Sequence, residues 1–278
     1  MVLKQCIFYD SKCYKKSSKV SGKPTGIVVH STGANNKTLK RYVQPSKTDP
    51  NYDAIIADIG KNKYGNHWNK SNKTVAVHGF IGTNAAGKVC TYQVLPYDVC
   101  CWGVGKGKKG SYNYNPTARI QFEICEDNLK NEAYFNEVFT EAIEYCAYLC
   151  KEFGLTVDKI SSHNESYKAG YGSNHSDCDH WLKKYGKNMD WFRDEVEKLL
   201  SGKTEKAEDN AFKPYRVRVT ASSLNIRKGA GTNYGKNGAI KDKGVYTIVA
   251  ESNGKGATRW GKLKSGAGWI SLDYVKKV

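Results

Sequence analysis

The sequence predicts a chain in two parts: an α/β domain over residues 1–200, with a mixed central sheet flanked by helices, and a small all-β barrel over residues 213–278. Three observations carry the prediction. Up to residue 200, apolar runs of strand length alternate with segments of helical period, the pattern of sheet and helix layers packed on one core. Residues 201–212 open with ten positions that hold no large apolar side chain, and they read as a linker. Beyond them the texture changes to short β-type runs divided by glycine-rich turns. A chain of 278 residues is long enough to bury one sizeable core and a second, smaller one.

Taken in order, Gly26-Ile27-Val28-Val29-His30 reads as a buried strand that delivers a histidine at its carboxyl end. A helix is expected over residues 35–43, after the Ser31-Thr32-Gly33 turn, and a second over 51–59. Residues 62–72 are rich in Asn and Lys, interrupted by Trp68, and read as a surface loop lining a groove. Residues 75–82 and 88–95 have strand character on either side of Asn84-Ala85-Ala86-Gly87, which is hairpin chemistry. Residues 103–115 are rich in Gly, Lys and Asn and are expected to form a mobile loop. Residues 118–125 alternate apolar and polar and place Glu123 between Phe122 and Ile124. The clearest helix is 132–153, where Phe135, Val138, Phe139, Ala142, Ile143, Cys146, Leu149, Cys150 and Phe153 recur three and four apart and Gly154 stops the run. That stripe is core packing. A short strand over 156–161, a loop over 162–181 and a last helix over 189–200 complete the first part. In the second part, strands are expected over 215–220, 224–227, 245–250, 258–263 and 268–271.

The formal charge is +17 and the pI about 9.3. Residues 212–278 hold 14 Lys and Arg against three Asp and Glu, so +11 of the excess lies in the small domain. A basic surface of this kind suits a polyanion: nucleic acid, anionic lipid headgroups or the anionic polymers of a bacterial wall. Charge does not choose among them. The nine cysteines show no CxxC pair and no regular framework, so most are expected to be reduced, buried small hydrophobes. The amino terminus lacks a signal-peptide pattern and no apolar run approaches the roughly 20 residues that span a bilayer. Synthesis in the cytoplasm is the expectation, with release by some other route if the protein acts outside a membrane.

Three of the six histidines, His163, His175 and His180, fall within residues 162–181 beside Asp177, Asp179 and Cys178. That density of borderline ligands, with His30 from the upstream strand, suggests a zinc centre: three protein ligands and an open position. Residue types alone leave open the plainer reading, a hydrogen-bonded strand-end histidine and a solvated loop.

The stretches Ile-Val-Val-His-Ser-Thr-Gly, Ile-Gln-Phe-Glu, Ser-His-Asn-Glu and Ser-Asn-His-Ser-Asp-Cys-Asp-His-Trp, in that order, resemble the zinc-dependent type 2 N-acetylmuramoyl-L-alanine amidases, which share a fold with peptidoglycan recognition proteins. The last of them resembles versions found in phages of Gram-positive bacteria. The resemblance covers about residues 20–200. It implies a Zn2+ cofactor on His30, His163 and Asp177, with Glu123 as general base. His175 stands where many relatives have lysine, two residues before the third ligand, and would steady the oxyanion of the tetrahedral intermediate. Some relatives use cysteine as third ligand, which would move that role to Cys178; Asp177 is preferred because it gives His175 a task. His78 fits a strand position often held by histidine in relatives and is expected, with Trp68, to contact substrate. Asp179, His180 and Trp181 are expected to pack and orient the loop. A cysteine nucleophile at Cys178 lacks any orienting partner in the sequence.

Leu224-Asn225-Ile226-Arg227-Lys228-Gly229, with Gly268-Trp269-Ile270 and Tyr274-Val275, resembles a bacterial SH3-type wall-binding module; its Trp260, Trp269 and Tyr274 are open between core and groove. The layout implied is that of an endolysin of phage or prophage, acting on the peptidoglycan of Gram-positive bacteria after release from the host cytoplasm. A noncatalytic recognition protein would have lost a ligand or the glutamate, and no nucleic-acid motif accompanies the charge.

Overall fold

The computed structural model describes residues 1–202, 212 and 214–278. The chain divides into two compact units, Met1–Thr204 and Glu205–Val278. The expected linker over 201–212 lies outside the described residues except for Ser201, Gly202 and Phe212.

In the first unit, β1 (Leu3–Gln5), β2 (Ile27–Ser31), β3 (Gly79–Thr83), β4 (Val89–Gln93), β5 (Ile120–Ile124) and β6 (Ile160–Ser162) form one mixed sheet, ordered β1-β4-β3-β5-β2-β6. Strands β3, β5, β2 and β6 run parallel, and the hairpin partner β4 runs against β3. Helices α1 (Lys12–Lys16), α2 (Tyr52–Ile59), α3 (Glu132–Phe153), α4 (His163–Ala169), α5 (Asp179–Lys184) and α6 (Met189–Leu200) surround it.

The period-2 alternation in β5 sorts its side chains cleanly. Ile120, Phe122 and Ile124 join Ile27 and Val29 of β2 in the core beneath α3, α5 and α6. Gln121, Glu123 and His30 therefore project from the opposite face. Helix α3 packs that core through the predicted stripe, begins under an Asn131 cap and ends at Gly154 in the left-handed conformation that glycine tolerates best. On the other face Leu39, Tyr42, Val43, Ile55 and Ile59 close over Phe80 and Tyr92.

Three expectations fail in instructive ways. The helix expected over 35–43 is a single 3-10 turn, Leu39–Arg41. The backbone before it is already committed, with Thr83 N–H donating to the Lys37 carbonyl at 2.8 Å. The loop expected over 162–181 contains α4 and the start of α5. Ser162 and Glu165 form a capping box at the head of α4, an S-x-x-E signal present in the sequence. Finally, the glycine-rich 103–115 stretch is docked rather than free: Lys109 N–H donates to the Gly170 carbonyl at 2.8 Å, Tyr112 N–H to Tyr171 at 3.1 Å, and Tyr112 stacks on Tyr171 at 4.8 Å. All nine cysteines are buried free thiols.

The second unit is an all-β antiparallel sheet. Strands β7 (Tyr215–Val219), β8 (Leu224–Arg227), β9 (Lys236–Ile240), β10 (Val245–Gly254), β11 (Ala257–Leu263), β12 (Trp269–Ser271) and β13 (Val275–Lys277) are ordered β13-β7-β10-β11-β12-β8-β9. Val217, Val219, Leu224, Ile240, Ile248, Leu263 and Ile270 make its core, an arrangement that fits an SH3-like domain. Trp260 is buried, Trp269 half-buried and Tyr274 exposed. Strands β9 and β13 are additional to those expected; Lys-Asn-Gly-Ala-Ile and Val-Lys-Lys carry too few apolar residues to announce themselves.

Candidate active site

His30 and Glu123 are register partners on β2 and β5, and Val29 pairs with Ser162, so His163 follows directly beyond the adjacent strand β6. Three residues are thus gathered at the carboxyl ends of parallel strands, where open α/β sheets present their ligands. The third ligand candidate arrives on the segment that enters α5, which is pinned by Trp181. That ring is fully buried and sits 5.3 Å from Phe139 and 5.9 Å from Phe135 of α3.

His30 Nδ1 lies 3.1 Å from His163 Nδ1 and 3.1 Å from Asp177 Oδ2, and His163 Nδ1 lies 3.5 Å from Asp177 Oδ1. A tetrahedral zinc ion with bonds of about 2.0 Å has ligand–ligand edges of about 3.3 Å, so the spacing fits such an ion. The hydrogen bonds behind the rings support the same reading. Gln121 donates through Nε2 to the Tyr112 carbonyl (3.3 Å) and Asn113 Oδ1 (3.0 Å), leaving its Oε1 to accept from His30 Nε2–H at 3.1 Å. Ser173 Oγ donates to the Val104 carbonyl (3.2 Å) and accepts from His163 Nε2–H at 3.2 Å. With the outer nitrogens protonated, both Nδ1 lone pairs point at one another, an arrangement that calls for a cation. Two imidazoles and a carboxylate are a donor set suited to zinc.

Cys178 is 0% exposed and faces the core, its thiol 4.0 Å from Met189 Sδ and pushed up in pKa by burial. It neither reaches the histidines nor offers a reactive thiolate, which leaves Asp177 as the carboxylate of the cluster.

A cleft of about 710 Å³ opens over the cluster, lined by Trp68, Glu123, His175 and His180 among others. Glu123 is 9% exposed, and its Oε2 has no hydrogen-bond partner. Burial first, then the charges of Asp177 and Glu126, raise its pKa well above the usual carboxylate value. His175 is 60% exposed; its ring stacks on His163 at 4.6 Å, with Nδ1 3.8 Å from Asp177 Oδ1. Trp68 stands at the rim, edge-on to Phe80 at 5.1 Å.

His78 is not brought to the cleft. It is 1% exposed, accepts from Gln121 N–H at Nδ1 (3.0 Å) and donates from Nε2 to the Val99 carbonyl (2.9 Å). Both nitrogens are spent on backbone, so the expected substrate contact is replaced by a structural role. Asp179 holds Asn164 of α4 at 2.8 Å, and His180 joins Glu126 at 3.1 Å, which in turn accepts from Ser31 at 2.6 Å. Gln121 and Ser173 lie inside the motif stretches, which gave them no role, and Glu126 lies outside those stretches. Only for Gln121 was there a signal, its place on the same strand face as Glu123.

A family model described as N-acetylmuramoyl-L-alanine amidase matches residues 20–180. Among curated proteins, the chain is similar to Protein Ami of Listeria monocytogenes, at 23% identity over 269 residues, covering 90% of this chain and 25% of that protein. The chain therefore spans a quarter of that relative's length. Among solved structures it is similar to the Staphylococcus aureus hydrolase AmiA in complex with its ligand (18% identity, 74% of this chain and 85% of that one, TM-score 0.45). It is also similar to a mutant endolysin from Bacillus subtilis (18% identity, 70% and 99%, TM-score 0.45).

Proposed function

The chain belongs to the N-acetylmuramoyl-L-alanine amidase family, and from that premise we propose that it is a zinc-dependent peptidoglycan hydrolase cleaving the amide between N-acetylmuramic acid and L-alanine. The observation that carries the proposal is the facing pair of histidine Nδ1 atoms at 3.1 Å, closed by Asp177 and overlooked by the unpartnered Glu123 carboxylate.

His30, His163 and Asp177 would hold the zinc ion, which when bound supplies Lewis acidity that polarises the scissile carbonyl and acidifies water. Glu123 Oε2 takes a proton from the attacking water and returns it to the departing L-alanine nitrogen, a role suited to a carboxylate that burial makes more basic than an ordinary one. Its burial also keeps bulk water from competing for that proton. His175 presents its ring to the cleft and donates to the oxygen that gains charge as the carbonyl becomes tetrahedral. Trp68 offers a flat apolar wall to the sugar or its lactyl arm.

The second unit is assigned as an SH3-type module that retains the enzyme on the wall of a Gram-positive bacterium. Binding there raises the local concentration of scissile bonds. The whole is proposed to be an endolysin of phage or prophage, made in the host cytoplasm and active on the wall after release.

The decisive experiment digests purified Gram-positive peptidoglycan with and without a chelator, and identifies new ends by amine labelling and mass spectrometry. New amino-terminal L-alanine without new reducing sugars, lost with chelator and restored by zinc, is the expected result. Reducing ends, or an intact wall to which the protein stays bound, would overturn the catalytic reading.

A further inference from the structure

Beside the cleft lies a second groove, of about 660 Å³, built from the two glycine-rich stretches that dock on one another. Ser173 lines both cavities, and Gly105 of the first adjoins Lys106 of the second, so the two are neighbours along one surface. The groove is held by backbone. A Cβ on Gly107 would lie 2.3 Å from the Gly170 carbonyl oxygen, and one on Gly105 would lie 2.6 Å from Ser173 Oγ. Only glycine permits that approach, and it brings Lys106, Lys108, Lys109 and Lys168 to the lining together.

All four lysines are exposed, and none is in an ion pair among the described residues. Lys168 acts only from a distance, lowering the pKa that burial raises at Asp179. A few lysines elsewhere in this unit are matched, among them Lys4 with Asp58 and Lys19 with Asp98, each at 2.8 Å; the groove differs in gathering four unmatched ones into one concavity. No carboxylate is among the described residues that line the groove. Four like charges in one concavity repel each other, a cost that a polyanion would remove.

We propose that this groove holds a polyol-phosphate polymer carried by the cell-wall glycan, alongside the bond to be cut. That the polymer is wall-borne rests on the function proposed above; the recognition of repeated phosphates does not. Lysine ammoniums on flexible stems meet phosphates as mobile point charges, whereas a single carboxylate is better served by the arginine fork, and no arginine is among the described lining residues. Nucleic acid would call for several stacking rings, and Tyr167 is the one aromatic among the described lining residues.

The test is lysine acylation of the full chain, read residue by residue by mass spectrometry, in the presence of synthetic poly(glycerol phosphate), an oligothymidylate of equal phosphate number, or polyglutamate. The phosphate polymer is expected to lower acylation of Lys106, Lys108, Lys109 and Lys168 several-fold more than that of other exposed lysines in the unit, with or without chelator. A K106Q/K108Q/K109Q/K168Q variant is expected to lower the slope of log affinity against log salt by about 3, while still releasing amino-terminal L-alanine from polymer-free peptidoglycan. Absence of local protection, or equal protection by polyglutamate, would overturn the proposal; stronger protection by the oligothymidylate would replace the wall polymer with nucleic acid. Because the footprint persists without metal, its failure and a failure of the amidase reading are told apart.

Discussion

Gln121 shows how much a single buried amide decides. It is fully buried on β5, and its carbonyl oxygen fixes which nitrogen of His30 carries the proton. Gln121→Leu removes that acceptor and leaves His30 Nε2–H unpaired, so zinc affinity, measured by competition with a chromophoric chelator, is expected to fall 10- to 100-fold. His78, on the same network, makes a different prediction. Burial holds its pKa down at about 4, against the partial opposition of hydrogen bonds to Val99 and Gln121. A histidine with a depressed folded pKa binds fewer protons folded than unfolded between about pH 6.5 and 4. Stability from this site is therefore present above pH 6.5 and lost as pH falls toward 4, by about 3 kcal/mol at most. Urea midpoints across that window should fall less steeply for His78→Gln than for the parent; parallel curves would mean that the ring is charged in the fold.

At the scale of elements, α4 is seven residues long and owes its start to Ser162, whose hydroxyl accepts from Glu165 N–H at 3.0 Å. Glu165 is in turn gripped by both terminal nitrogens of Arg193 on α6, at 2.9 and 3.0 Å. His163 is the first residue of that helix, so the cap fixes its backbone as well as the helix. Ser162→Ala is expected to cost about 1 kcal/mol in a denaturant titration and to weaken zinc binding measurably. Unchanged zinc affinity would show that His163 is positioned by Ser173 alone. The capping box stood in the sequence, yet the stretch read as a loop because its polar residues carry no apolar periodicity. The docking of 103–115 on 167–173 had no local signal at all. Glycines read as freedom in a sequence, and here they permit two backbones to touch.

Across the whole molecule, charge is unevenly shared, with +11 of the +17 in residues 212–278. Within that unit Lys276 on β13 pairs directly with Arg218 on β7, both exposed. Like charges directly opposite are destabilising, so this edge is better suited to a bound anion than to the isolated fold. The double variant R218Q/K276Q is expected to unfold at an equal or slightly higher temperature than the parent while sedimenting less with purified walls at low salt. Its turnover of a soluble muramoyl peptide should not change. Wall binding equal to the parent's would move the contact to another face of the sheet.

The sequence by itself determined the strands β2 and β5, the helices α3 and α6, and the residues His30, His163 and Glu123 that meet at the cleft, with Asp177 and Cys178 both offered as their partner. Those features rest on periods of 2 and 3.6 and on short motifs, which are local and survive in one dimension. Tertiary structure decided the rest. It turned His78 into the core, faced Cys178 away from the histidines and Asp177 toward them, fixed the ring tautomers through Gln121 and Ser173, and closed two glycine-rich segments into a lysine-lined groove. Each outcome depends on what packs against a side chain from a distant part of the chain, and neither residue type nor spacing records that.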